Sequence, residues 1–350
     1  MTYDYGVFIG RFQPFHKGHA KVVNVALENV NKLIILIGSA NNPRTIRNPF
    51  TFDERKEFIT SLYQKEINEG RIILKPLNDM TYQDTQWVRQ VQDIVDMTII
   101  EDHPSFRDYG FKIALVGSQK DNSGFYLSLF PQWQSIPVIH KNPVNSTDIR
   151  KVMYSAGDKF YRFNKMPEHV ELPVAQRMWT ITENSWFTTL VEEYQWCEDY
   201  KSKYDNAPYR PTFVTVDAVV IQSGNVLLVK RNAMPGKGKW ALPGGYIEQF
   251  ETIDEAILRE LREETKIDVS DTRLLACRGK KVIFDDPHRS PRGRVITTAR
   301  LFKLPDEATL PKVKGSDDAA EAFWVPLSQL TPEKLFEDHA FIIQVMTSDI

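Results

Sequence analysis

Between Tyr5 and about Arg150, short runs rich in Val, Ile and Leu alternate with longer segments of helical period, and this alternation restricts the possible folds most. Strands that hand over to helices in strict turn do not pair as hairpins. They lie side by side in a parallel sheet with helices packed on its faces. The strand candidates are Tyr5–Gly10, Lys32–Gly38, Arg71–Pro76, Lys112–Gly117 and Ile136–Ile139. Thr51 with Glu54 three residues on forms a capping box ahead of a helix expected over Asp53–Asn68. The expected fold of this half is α/β, a Rossmann-like doubly wound parallel sheet. In such sheets ligands sit beyond the carboxyl ends of the strands, here just after Gly10, Gly38, Gly117 and Ile139.

From Thr212 the pattern changes. Thr212–Gln222, a turn at Ser223-Gly224-Asn225 and Val226–Lys230 read as a hairpin, followed by a loop, one strong helix and further strands. That order predicts a mixed sheet. Between the two patterns, residues 156–211 are rich in aromatics, among them Trp179, Trp186, Trp196, Tyr200 and Tyr204, and are expected to hold one or two helices. With 350 residues, more than one compact domain usually holds, the expected division is 1–185, a connecting segment 186–208, and 209–350.

A formal charge of only -2 gives no global field for nucleic acid or an acidic membrane, so neither partner is expected and anions must be held by local clusters. Cys197 and Cys277 have no metal or redox spacing, and no stretch approaches 18 apolar residues; the expectation is a cytoplasmic protein. Nothing in the chain fixes its oligomeric state, so a homo-oligomer stays open.

The first chemical cluster is Gly10-Arg11-Phe12-Gln13-Pro14-Phe15-His16-Lys17-Gly18-His19, where a strand passes into a helix. A helix N-terminus offers amide donors and positive potential to a phosphate. His16 and His19 are three apart and share a helical face, Gly18 leaves room for close approach, and Arg11 and Lys17 add charge. The plain alternative is that the histidines merely cap the helix. A second cluster, Asn145-Ser146-Thr147-Asp148-Ile149-Arg150, again opens a helix, with hydroxyls expected in capping positions.

The first string resembles the signature of the nucleotidyltransferase family with the His-x-Gly-His motif, most closely the archaeal-type nicotinamide mononucleotide adenylyltransferases. Ser146-Thr147-x-x-Arg150 is similar to that family's second motif, and Arg44 to Thr51 to its loop after the second strand. The resemblance implies that His16 and His19 stabilise the α-phosphate of ATP during attack by the mononucleotide, with Mg²⁺ present. Ser146, Thr147 and Arg150 would hold the far phosphates, with Gly10, Arg11, Phe12, Lys17, Gly18 and Arg47 around them. Trp87 is the implied nicotinamide platform, against the alternative of a core tryptophan, and Gly38, Ser39, Asn78 and Gly117 are further nucleotide contacts. Another phosphate substrate, such as pantetheine phosphate or flavin mononucleotide, remains the alternative for this half.

In the second half, Trp240-Ala241-Leu242-Pro243-Gly244-Gly245 precedes Glu251 and Arg259-Glu260-Leu261-Arg262-Glu263-Glu264. Thr252 and Glu255 form a capping box, predicting a helix over Ile253–Thr265 with Glu260, Glu263 and Glu264 on one face. Like charges so placed oppose the helix by about 0.2–0.5 kcal/mol per pair, and a divalent cation compensates. All-oxygen ligands favour Mg²⁺ or Mn²⁺. A solvated acidic face is the plain alternative. The spacing from Gly245 to Glu264 resembles the Nudix box of an α/β/α fold.

That resemblance implies metal binding by Glu260, Glu263, Glu264 and Gly244, catalysis by Glu263 and Glu264, and a bracing pair of Glu251 and Arg259. The family's glycine after the helix is Lys266 here. Arg289, Arg292 and Arg294 form a loop suited to a second phosphate and ribose. Gly315 to Pro326 resembles the ADP-ribose branch, making Asp317, Asp318 and Glu321 weaker candidates for the base. Both motif sets together resemble a known fusion of the two families, with ATP, nicotinamide mononucleotide, NAD and ADP-ribose as ligands. The rival is a regulator sensing NAD metabolites through an inactive Nudix-like domain; it requires a damaged acidic box and a basic recognition helix, and neither is evident.

Overall fold

The computed structural model describes residues 3–104, 110–118, 128–139, 144–155, 164–316 and 319–348. The chain divides into two compact units, Met1–Val191 and Glu192–Ile350. The division falls inside a helix, Ser185–Ser202, so much of the expected connecting segment is regular helix. No helix among the described residues is long and apolar enough to cross a membrane.

The first unit is built on five parallel strands, β1 (Tyr3–Gly10), β2 (Val30–Ile37), β3 (Ile72–Pro76), β4 (Ile113–Ser118) and β5 (Gln134–Val138), in the order β3-β2-β1-β4-β5. Each strand candidate lies within two residues of an observed strand. The helices are α1 (Lys17–Asn29), α2 (Phe52–Asn68), α3 (Asp84–Asp102), α4 (Ser146–Tyr154), α5 (Leu172–Ile181) and α6 (Ser185–Ser202). Strand β1 is buried and apolar from Tyr5 to Ile9 because it is central, and Tyr5, Val7 and Ile9 join Ile34, Leu36, Leu115, Val91 and Val95 in one core cluster. Helix α2 begins as expected: Thr51 accepts from the Glu54 amide, and Glu54 accepts from that of Thr51 at 2.8 Å.

The second unit holds a seven-stranded mixed sheet of β6 (Thr212–Gln222), β7 (Asn225–Arg231), β8 (Trp240–Ala241), β9 (Gly244–Tyr246), β10 (Arg278–Phe284), β11 (Arg294–Lys303) and β12 (Ala319–Pro326). Strands β11 and β6 are parallel, and the other pairs antiparallel. The expected hairpin forms with a tighter turn than the three-residue one read from the sequence. Gln222 pairs with Asn225, and Ser223 and Gly224 both take positive φ, 47° and 71°, the two-residue turn that matches strand twist.

Helices α7 (Ile253–Thr265), α8 (Asp271–Ala276) and α9 (His339–Thr347) complete the unit. Ala256, Ile257 and Leu261 of α7 pack on Val216, Ala218 and Val220 of β6. Lys266 ends α7 in the left-handed conformation, φ 44° and ψ 35°, where the sequence pattern calls for glycine.

Candidate active sites

Strand β1 delivers Gly10 to the point where the strand order reverses, between β1 and β4. The loop that follows is pinned to the loop after β2. The Gln13 side chain donates to the Phe50 carbonyl at 2.8 Å and accepts from the Phe50 amide at 2.9 Å. Gly38 donates its amide to the Gly10 carbonyl at 2.8 Å. Arg55, 1% exposed, reaches the carbonyls of Arg11, Gly38, Ser39 and Thr51. Burial pulls its pKa down to about 10, which leaves it charged near neutrality.

His16 is the N-cap of α1 and not a residue of its first turn, yet the expected pairing with His19 forms. The Nδ1 of His16 accepts from the His19 amide at 3.4 Å, and the Nδ1 of His19 accepts from the His16 amide at 3.2 Å. The rings stack with centroids 3.6 Å apart. An imidazole whose Nδ1 accepts carries its proton on Nε2, so capping fixes both rings as Nε2–H donors. The cap and the phosphate donor are therefore compatible readings of one geometry.

Arg150 is 7% exposed and donates to the Gln13 carbonyl at 2.8 Å and to the Thr147 hydroxyl at 3.2 Å. Burial, and next the Arg11 charge, lower its pKa to about 10. Arg11 lowers Arg55 in the same way, so three guanidiniums gather beside β1 and favour an anion. The hydroxyls of Ser146 and Thr147 are not caps as expected. Asn145 caps α4 by accepting from the Thr147 amide at 2.8 Å, and Ser146 and Thr147 are the first helical residues.

Other expected contacts fall differently. Lys17 donates its ammonium to the Pro167 carbonyl at 2.6 Å, in the short turn Met166–Glu168, while Gly18 follows it in α1. Phe12 is buried with φ 52°, its ring edge-on to His19 at 4.9 Å. Arg47 is half-buried in the loop after β2, beside Ile46, whose carbonyl accepts from the Tyr154 hydroxyl at 3.1 Å.

The Ser39 hydroxyl is committed to Asp79 at 2.7 Å. Asn78 is exposed with its backbone held by Gln90. Trp87 is half-buried, packed on the core and 6.1 Å from the Phe130 ring. Gly117 is buried in β4 opposite Pro137. Arg55 and Gln13 were not anticipated from the sequence; an arginine among the apolar positions of α2 was the available signal for the first.

In the second unit, a cavity of about 530 Å³ is lined by Gly244, Gly245, Glu260, Glu263 and Glu264 on one wall, and by Asp217, Arg231, Arg289, Arg292, Glu337 and His339 among the rest. The two glycines are required by close approach. A Cβ on Gly244 would stand 2.1 Å from the Val216 carbonyl, and one on Gly245 would meet the Glu260 carboxylate. Gly244 donates its amide to Glu264 at 2.9 Å. Glu264 is 8% exposed, and burial, opposed by that hydrogen bond, pushes its pKa up to about 8. Burial raises Glu260 and Asp217 as well.

Arg259 braces the box, bonding Glu251 through two nitrogens at 2.9 and 2.7 Å, and it also holds Glu260 and Glu263, each at 2.9 Å. The glutamates thus lie along a wall and do not close on a point. Among the described residues no three His, Cys, Asp or Glu side chains form a ready metal cluster. The donor set is nevertheless all-oxygen, and its mutually repelling carboxylates, Glu264 buried and Glu260 and Glu263 half-buried, fit a divalent cation.

The expected substrate loop divides. Arg289 lines the cavity but is held bidentately by buried Asp338 at 2.9 and 2.8 Å. Arg292 lines it too, 3.4 Å from Glu337. Arg294 is outside it, paired with Asp285. Glu321 is not in the cavity either, because β12 sets it opposite Lys230, 3.7 Å away. Asp317 and Asp318, like residues 119–121 after β4, lie outside the described residues.

The sequence reading missed Asp217, Arg231 and the segment 336–339. Asp217 accepts from the Thr297 hydroxyl at 2.6 Å, and His339 accepts from the Leu242 amide at 2.9 Å. A lone acid within the apolar run Val214–Ile221 was the signal for Asp217.

Residues 7–152 match the family model described as cytidylyltransferase-like, and residues 211–346 match the NUDIX domain. A nicotinamide/nicotinic acid mononucleotide adenylyltransferase of Acinetobacter baylyi is 37% identical over 153 residues, 43% of this chain and 76% of that protein. An ADP-ribose pyrophosphatase of Methanocaldococcus jannaschii is 37% identical over 131 residues, 37% of this chain and 70% of that one. The crystal structure of a bifunctional NMN adenylyltransferase/ADP ribose pyrophosphatase from Francisella tularensis matches with a TM-score of 0.87 and 36% identity, covering 99% of both chains. A structure of such a bifunctional protein from the same organism, complexed with AMP and manganese, matches with a TM-score of 0.85 at 35% identity. The chain belongs to the family of bifunctional NMN adenylyltransferase/ADP ribose pyrophosphatases, a cytidylyltransferase-like domain and a NUDIX domain on one polypeptide.

Proposed function

We propose that residues 1–185 transfer an adenylyl group from ATP to nicotinamide mononucleotide, and that residues 209–350 hydrolyse ADP-ribose to AMP and ribose 5-phosphate. The observation that carries the reading is the contrast between the sites: stacked histidines beside three arginines in one, and a glutamate face on a glycine loop in the other.

In the first site a mononucleotide phosphate oxygen attacks the α-phosphorus of ATP, the bond to the bridging oxygen breaks, and pyrophosphate leaves with the electron pair. His16 and His19 donate Nε2–H to the α-phosphate oxygens as charge builds, and Arg11 and Arg150 hold the departing phosphates. No covalent intermediate with the chain is required. In the second site one of Glu264 and Glu263 takes a proton from water, the water oxygen bonds to one phosphorus of the diphosphate, the bridging P–O bond breaks and the other phosphate leaves with the electron pair, while Gly244 positions Glu264 and Arg292 faces the diphosphate. Mg²⁺, or Mn²⁺ in its place, held by Glu260, Glu263 and Glu264, supplies positive charge to that diphosphate; Mg²⁺ also serves the first site as the partner of ATP.

Purified chain is to be incubated with ATP, Mg²⁺ and nicotinamide mononucleotide, and separately with Mg²⁺ and ADP-ribose, with products identified. Absence of NAD in the first mixture refutes the transferase reading. Intact ADP-ribose in the second refutes the hydrolase substrate.

A further inference from the structure

ADP-ribose carries a ribose on each side of its diphosphate, and a base on one side only. A site built of carboxylates, cation and arginines grips the diphosphate but does not tell the two halves apart. We propose that Tyr246 is the stacking platform for the base, held in place by Tyr200; the proposal rests on the hydrolase reading above and adds to it the subsite that fixes substrate direction.

Two phenyl-type rings line the cavity, Tyr246 and Phe336. Phe336 is buried, and the Arg231 guanidinium covers its face at 4.1 Å from the ring centre. Tyr246 is 39% exposed. Its backbone is set on both sides: β9 pairs it with Thr215 of β6, and Arg259 of the acidic box donates to its carbonyl at 3.0 Å. The ring therefore starts one residue from Gly245, on which the Glu260 carboxylate lies, so a base stacked there stays within one nucleotide's reach of the acidic wall.

The ring is tethered at its far end as well. The Tyr200 and Tyr246 hydroxyls are 3.1 Å apart, and Arg292 donates to the Tyr246 hydroxyl at 3.3 Å. Phe213 packs edge-on to Tyr246 at 5.9 Å, with Tyr200 and Tyr204 behind it at 5.7 and 5.3 Å. A ring fixed at both ends and 39% exposed, with the Arg292 guanidinium standing off at 5.8 Å from its centre, loses little freedom when a flat base settles on it, and stacking of this kind accepts any base. By contrast, Phe250, in the loop that follows β9 and 95% exposed, does not line the cavity.

The test is product inhibition of hydrolysis by AMP and by ribose 5-phosphate, read on whichever nucleoside diphosphate derivative the wild-type chain cleaves fastest. Tyr246→Ala is expected to raise KM and the inhibition constant for AMP roughly ten-fold, the range of base–aromatic stacking, with kcat and ribose 5-phosphate inhibition little changed. Tyr200→Phe, which releases one tether, weakens AMP inhibition about two-fold, Tyr246→Phe, which keeps the ring but releases both, weakens it about three-fold, and Phe250→Ala leaves it unchanged. Equal AMP inhibition in wild type and Tyr246→Ala overturns the platform. So does an equal rise for AMP and ribose 5-phosphate, which marks general damage to the cavity. Failure of ADP-ribose as a wild-type substrate counts instead against the hydrolase substrate, and leaves AMP inhibition readable on the substrate used.

Discussion

The imidazoles of His16 and His19 hold each other through reciprocal backbone hydrogen bonds, each Nδ1 accepting the other residue's amide, with the rings stacked 3.6 Å apart. This arrangement makes the tautomer of both rings a property of the helix cap. Any substitution at one position then disturbs the other ring's orientation as well as removing a donor.

His19→Ala is expected to lower adenylyl transfer by roughly 100- to 1000-fold, the effect of losing one donor to a developing oxyanion, and to cost about 1 kcal/mol through the acceptor lost to the His16 amide. Hydrolysis of ADP-ribose by the same preparation should stay within two-fold of wild type on that order-of-magnitude scale. Parallel assays of NAD formation and ADP-ribose loss decide it. Loss of both activities means a shared site or a structural defect.

The strands, the capping boxes at Thr51 and Thr252 and the acidic helix face were legible because each depends on residues close in sequence: a period, a spacing of three, a run of glutamates. Contacts across long separations were not. Arg289 looks like a phosphate ligand in its own loop, but its partner Asp338 is 49 residues away and fills its fork. Glu321 looks like a candidate base until the β12–β7 register sets it beside Lys230. Asp217 was passed over because an acid inside an apolar strand acquires meaning only when β9 and α7 pack around it.

Arg55 accounts for much of the first site's rigidity, since its guanidinium joins carbonyls of Arg11, Gly38, Ser39 and Thr51, at the ends of β1 and β2 and the start of α2. Arg55→Leu removes four hydrogen bonds from a buried setting, although the Thr51 carbonyl keeps the Arg55 amide at 3.2 Å and that of Ser39 the Asn42 amide at 3.4 Å. A loss of about 3 kcal/mol or more in the first unit is expected, against about 1 kcal/mol per hydrogen bond at an exposed site. Thermal unfolding with the two activities followed separately should show transfer failing first. Unfolding indistinguishable from wild type would remove Arg55 from the account.

Lys266 takes φ 44° at the end of α7, a conformation that is free for glycine and costs other residues about 1–2 kcal/mol. Lys266→Gly should stabilise the second unit by about 1 kcal/mol in denaturant unfolding while changing hydrolase turnover less than two-fold, since Lys266 does not line the cavity. A gain in turnover of orders of magnitude would show that the helix end is coupled to the chemistry.

Glu264 makes a prediction about pH. Its carboxyl is held at about 8 by burial, above the ordinary 4.5, so between those values the folded chain keeps a proton that the unfolded chain has released. Stability without metal therefore falls as pH rises from about 4.5 to 8, by at most about 1.4 kcal/mol per pH unit, and levels off above. A divalent cation binds the carboxylate form, so Mg²⁺ or Mn²⁺ should raise the melting temperature more at pH 8 than at pH 6. Glu264→Gln carries no titratable group there: it should flatten the metal-free slope, weaken the response to cation, abolish hydrolysis and spare adenylyl transfer. Melting curves across pH, with chelator and with added cation, measure all of these but the activities. An unchanged slope in Glu264→Gln would assign the pH dependence to another buried carboxyl of the cavity, Glu260 or Asp217, and take Glu264 out of that role.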